Sequence, residues 1–123
     1  MTPEQFELIK TSSINKWTRG VNAENKVEWW NKEGSETCSF CNNFGCDCYA
    51  YCPLYRADAK SYCKCALEWM TLSMANSDYG YGLITIKSFN KIYDRNTKSL
   101  LKRIKSIEFN EKWRELEYME ENS

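Results

Sequence analysis

The chain contains no histidine. That absence excludes a Ser-His-Asp triad, a Cys-His nucleophile pair and any histidine general acid or base. It also excludes the zincin motif and the His/Cys/Cys site of the zinc deaminases. A metal site in this chain has only sulfur and oxygen to use. An excess of either charge is missing too: Lys plus Arg is 17 and Asp plus Glu is 17. That balance argues against a protein that simply coats nucleic acid. No apolar run approaches the ~20 residues needed to cross a bilayer. No basic segment followed by an apolar stretch marks a secretion signal. With two prolines and five glycines in 123 residues, nothing reads as a linker, and no internal repeat is evident. The expectation is one cytoplasmic domain over 1–123, with no membrane segment and no small-molecule substrate.

Several things are abundant. Hydrophobic residues make up 42% and charged residues 28%, enough for a folded core rather than disorder. Aromatics reach 15%, with five Trp, eight Tyr and five Phe. Seven cysteines fall between residues 38 and 65: Cys38, Cys41, Cys46, Cys48, Cys52, Cys63 and Cys65. An odd count without an export signal favours metal binding over a disulfide framework. Cys38 and Cys41 have the two-residue separation that lets a tight turn present two thiolates to one ion. Cys46 and Cys48 are one residue apart, as are Cys63 and Cys65, and side chains at that spacing tend to point apart. Only one member of each such pair is expected to bind. A closed four-sulfur shell around Zn2+ leaves no position for water, so its role would be structural. Residues 35–65 would then form a zinc module held by metal bonds. Arg56, Lys60 and Lys64 are candidates to offset the thiolate charge.

Thr2-Pro3-Glu4 predicts a helix start, followed by apolar positions at Phe6, Ile9, Ile14 and Trp17. Thr11-Ser12-Ser13 weakens the middle of that helix, and Gly20 reads as a stop. Asn22 is expected to cap a second helix carrying Val27, Trp29 and Trp30, ended by Gly34. Ala66, Leu67, Trp69, Met70 and Met74 predict another helix, ended near Gly80. Tyr81 to Phe89 reads as a strand from its β-branched residues and partial alternation, with a second short strand at Lys91-Ile92-Tyr93. Leu100, Ile104 and Ile107 share one helix face. Phe109, Trp113 and Leu116 need a fresh start, with Asn110 as its cap. A C-terminal helical segment is expected over 97–121. The fold class that follows is α+β: a mostly helical domain with a four-cysteine zinc module and a short β-hairpin.

Two resemblances attach to these residues. The run Cys38-x2-Cys41-x3-Gly45-Cys46-x5-Cys52 resembles a retroviral-type zinc knuckle, with Cys46 in place of histidine and a last gap one residue longer. It implies binding of single-stranded nucleic acid, with Phe40, Phe44, Tyr49 and Tyr51 available to stack. Asp47 is the only charged residue between Cys38 and Cys52, so the electrostatic half of that function is missing there. A wider pattern joins Trp29-Trp30, Cys38-x2-Cys41, Cys48-x3-Cys52-Pro53-Leu54, Cys63 and Trp69. It resembles a group of small, cysteine-rich phage and prophage proteins, with one extra residue before Cys52 and with Cys46 and Cys65 added. That resemblance implies Cys38, Cys41, Cys48 and Cys52 as the zinc ligands, with Cys46 and Cys63 as alternates. It also implies a protein that works in a bacterial cytoplasm.

No catalytic constellation stands out. Tyr79-Gly80-Tyr81-Gly82 lacks the third glycine and following helix of a dinucleotide loop. Lys87 lacks the acid two residues earlier that some metal nucleases carry; Thr85 stands there. The expected function is therefore that of an interaction protein, not an enzyme: a phage or mobile-element protein that binds and inhibits a host protein. An anti-CRISPR inhibitor of a CRISPR effector nuclease fits the size and mixed charge. The alternative is a nucleic-acid-binding module like the zinc knuckle. Charge is unevenly placed. Lys87, Lys91, Arg95, Lys98, Lys102, Arg103 and Lys105 face one acid, Asp94, while Glu108 to Glu121 is mainly acidic. A solvated surface is one reading of this division and a two-signed docking surface the other. Lys102, Arg103, Glu117 and Glu120 are the candidate partner-binding residues, and Trp30 and Trp113 the candidate exposed anchors.

Overall fold

A computed structural model describes residues 1–36, 39–44, 53 and 66–118, with only the backbone of Ser39, Cys41 and Asn42. The first helix, α1 (Pro3–Val21), opens on a capping box. The Gln5 backbone N–H donates to the Thr2 hydroxyl at 3.1 Å, and the Thr2 N–H donates to the Gln5 side chain at 2.8 Å. Two otherwise orphaned donors are thereby satisfied. Phe6, Ile9, Ser13, Trp17 and Gly20 form its buried stripe. The helix runs unbroken through Thr11-Ser12-Ser13, because packing along that stripe outweighs the low propensity of three residues.

Asn25, not Asn22, caps the next element: its side chain accepts from the Glu28 N–H at 3.0 Å. Helix α2 (Lys26–Trp29) widens into a π-helical turn over Trp30–Gly34. This short segment locks onto α1 through rings. Trp29 meets Trp17 edge-on at 5.5 Å between centroids and Tyr93 at 6.3 Å. A Cβ at Gly20 would lie 2.6 Å from the Trp29 ring, and one at Gly34 would lie 2.7 Å from both Trp29 and Trp30. Glycine is required at both positions by this approach, not by backbone angle. Trp30 and Trp113, expected as exposed anchors, are buried at 2% and 5% exposure. Trp30 packs 5.6 Å from Trp69, whose indole N–H donates to the Gly34 carbonyl at 3.1 Å. Trp113 sits among Phe6, Phe44 and Phe109. Polar neighbours in sequence do not expose a residue when every third or fourth position turns inward.

Helix α3 (Ser39–Phe44) packs on α1, with Phe40, Asn43 and Phe44 buried. Helix α4 (Leu67–Gly80) and helix α5 (Ile86–Ser106) follow. The Lys87–Lys105 run expected to straddle strand and helix thus lies entirely on α5. The turn between them ends α4 in a Schellman arrangement: the Leu83 N–H donates to the Asp78 carbonyl at 2.8 Å and the Gly82 N–H to the Tyr79 carbonyl at 3.0 Å. Gly82 takes φ +73°, the left-handed conformation glycine adopts without penalty. The two helices lie antiparallel, because Arg103 in the last turn of α5 reaches Glu68 in the first turn of α4. Helix α5 contacts both α4 and α1. A 3-10 turn (Glu111–Glu115), capped by Asn110 as expected, closes the Phe6 end of α1. The Met1 ammonium donates to the Arg114 carbonyl there at 2.9 Å.

The domain is mostly helical, and no strand occurs among the described residues. The expected β-hairpin over 81–93 is corrected to a helical hairpin: residues 81–85 form the turn and 86–93 open α5. The β-branched run misled because Thr85 is an N-cap, its hydroxyl accepting from the Ser88 N–H at 3.1 Å. Phe89, Tyr93, Thr97, Leu100 and Ile104 are then buried at helical spacing. A five-residue β preference is small against a stripe four turns long. Of the cysteines, Cys41 lies on α3 with its side chain outside the described residues. Cys38, Cys46, Cys48, Cys52, Cys63 and Cys65 also lie outside them. No described helix is long and apolar enough to cross a membrane.

Candidate functional site

The sequence of α5 divides the helix lengthwise. Its buried residues, Phe89 through Ile104, occupy about 80° of arc at 3.6 residues per turn. Lys87, Lys91, Arg95, Lys98, Lys102 and Lys105 recur at intervals of three and four on the opposite side, within another 80° or so. All six are exposed. The row is about 27 Å long at 1.5 Å per residue. Asp94, the one acid of α5, turns aside to Lys26, with 2.7 Å between charged atoms. No ion pair engages the six row residues among the described residues.

This row works against helix stability. Successive cations are neighbours at i,i+3 or i,i+4, and each such like-charge pair costs about 0.2–0.5 kcal/mol. A surface selected only for solubility would intersperse acids. Lys105 alone, in the last turn, gains from the helix dipole.

Arg103 belongs to the other side. Its guanidinium pairs with Glu68, holding the second carboxylate oxygen at 2.8 Å. Glu68 is only 4% exposed, and a carboxylate so desolvated needs a fixed cation. Arg103, a candidate for partner binding, therefore fastens α4 to α5, and Lys102 beside it belongs to the exposed row. Glu117 is exposed beyond the 3-10 turn, and Glu120 lies outside the described residues. Of the candidates on α5, Lys102 and Arg103 stand on different sides of the helix.

The row is bordered on two sides. Along its flank runs an open groove between α4 and α5 of about 690 Å³, where Lys91 and Arg95 stand with Met74, Asp78 and Asn96. At its N-terminal end the α4–α5 turn presents Tyr81 at 81% and Leu83 at 71% exposure. The residue of a Schellman turn equivalent to Leu83 ordinarily folds back on its helix; here it projects into solvent.

Beneath the row, Tyr93 ties α5 to α1. Its hydroxyl donates to the Gly20 carbonyl. Burial pushes its phenol well above the ordinary tyrosine range, with the charges of Asp94 and Glu33 adding to the shift. The group is thus a neutral donor at any physiological pH.

Reading 81–89 and 91–93 as strands took Lys87 and Lys91 out of the helical period, and five of the six row residues lay outside the candidate set. The four-four-three-four-three spacing was the signal that would have found them. Among the described residues, no three Cys, Asp or Glu side chains gather where they could share a metal ion. The expected ligands Cys38, Cys48 and Cys52, and the side chain of Cys41, fall outside that description. No protein-family model, curated protein or solved structure matches the chain.

Proposed function

We propose that this chain is a non-catalytic binding protein, its middle segment held by Zn2+, which docks on an acidic macromolecular partner through the outer face of α5. The single observation that carries this reading is the row of six exposed cations, set opposite the core, with Asp94, the one acid of α5, paired to Lys26. A face with one sign of charge steers an oppositely charged partner into register and raises its association rate. The zinc assignment rests on donor chemistry: seven clustered thiols, no histidine, and the Cys38-x2-Cys41 spacing. Cys38, Cys41, Cys48 and Cys52 would hold the ion, which would contribute structure and no reaction.

Action inside a bacterial cell, by occupying an acidic surface and inhibiting whatever bears it, joins this reading to the phage proteins that the cysteine pattern resembles. The test is affinity capture from a bacterial lysate with three forms of the full chain: unaltered, Lys91→Glu/Lys98→Glu/Lys102→Glu, and Cys38→Ser/Cys41→Ser. The expected result is a partner that is lost on charge reversal and released by salt. Equal capture by the charge-reversed form would contradict the reading.

A further inference from the structure

We infer that the acidic partner of the α5 face is a single strand of nucleic acid, its phosphates following the lysine row and a base stacking on Tyr81. This inference rests on the docking reading above and owes nothing to the cysteine segment. Three features of the face select this occupant. The first is composition. Five of the six cations are lysine, a residue depleted in protein–protein interfaces that binds phosphate as a point charge. The second is shape. The row is one residue wide, so it can track one backbone, whereas a helix seated in a duplex groove has a phosphate strand on each side. The third is the tip. Tyr81 stands in the turn that leads directly into Lys87, held by the Schellman hydrogen bonds and Gly82. An exposed aromatic ring beside a basic track is how sequence-tolerant single-strand binding is built. Leu83, at 71% exposure, extends the apolar surface on which a base or sugar would lie.

The zero net charge of the chain does not oppose this. Electrostatic attraction at short range depends on local charge, because screening confines it to about 8–10 Å at ordinary salt.

The experiment is fluorescence anisotropy of a labelled single-stranded oligonucleotide against the full chain, purified without chelator, over a range of salt. With all six cations engaged, the logarithm of affinity falls against the logarithm of salt with a slope of about −4. Replacing Lys91, Lys98 and Lys102 by Gln reduces that slope by about 2. Tyr81→Ala weakens binding about tenfold while leaving the slope unchanged, the signature of stacking rather than charge. Lys32→Gln, which removes an exposed cation away from the row, leaves both unchanged. Circular dichroism of each variant checks that α5 is intact. Failure to bind at low salt, binding indifferent to the three glutamines, or preference for duplex of the same sequence would overturn the inference. If a protein is instead captured through the α5 face and its capture survives nuclease treatment, the strand assignment fails while the docking reading stands. If charge reversal of the row alters no capture at all, the docking reading itself fails.

Discussion

The two sides of α5 obey different rules. Its inner side places Phe89, Tyr93, Leu100 and Ile104 at almost zero exposure, and even its polar members are satisfied there. Thr97 donates to the Tyr93 carbonyl at 2.8 Å, Tyr93 to the Gly20 carbonyl, and Arg103 answers Glu68. The outer side sets like charge beside like charge and offers no internal partner among the described residues. The inner side makes the fold and the outer side strains it slightly. A face that costs a little stability and serves no part of the core is the ground on which docking is proposed.

That contrast can be broken at several points. The largest effect belongs to the inner side: Phe89→Ala should destabilise the domain by about 3–5 kcal/mol, measured by urea unfolding. Loss of less than ~1 kcal/mol would mean that α5 is not the centre of the core. Next is the charged clamp. Arg103→Ala strands the Glu68 carboxylate and should cost about 3–5 kcal/mol. Arg103→Met combined with Glu68→Leu should recover most of it, and a double variant as weak as the single one would show that packing, not charge, is at stake.

Tyr93→Phe removes one donor from the Gly20 carbonyl, which still accepts from the Ala23 N–H at 3.3 Å, and should cost about 0.5–1.5 kcal/mol at neutral pH. It should also change the alkaline limb of the stability curve. The folded-state pKa of Tyr93 lies above its unfolded value near 10, so above about pH 10 the unfolded chain ionises while the folded chain does not. The stability that depends on the neutral phenol is therefore complete below that pH and declines above it. The phenylalanine form should lose stability less steeply there, and an identical slope would show that Tyr93 titrates alike in both states. The smallest effect has the opposite sign. Lys102→Gln on the outer side relieves two like-charge contacts, with Lys98 and Lys105, and should stabilise by a few tenths of a kcal/mol at low salt; measurable destabilisation would mean that this lysine serves the fold.

How much of this was readable beforehand follows from where the physics is local. Thr2-Pro3 and Asn110 are caps, decided by neighbours two or three residues away, and both are where their chemistry put them. The stripe of Leu100 and Ile104 was visible for the same reason. The segment from Tyr81 to Tyr93 was misread because Leu83-Ile84-Thr85-Ile86 carries a strand's composition, and only the continuation to Ile104 reveals the period. Trp29, Gly20 and Tyr93 form a junction of three elements, which no local window contains. Arg103 and Lys102 looked alike in sequence; one residue of rotation separates a core clamp from a surface charge.

The most direct test of the account takes one preparation of the Lys91→Gln/Lys98→Gln/Lys102→Gln form beside the unaltered chain, measuring thermal unfolding and oligonucleotide affinity in the same low-salt buffer. The account predicts equal or slightly higher stability together with a large loss of affinity. Reduced stability with affinity intact would contradict it.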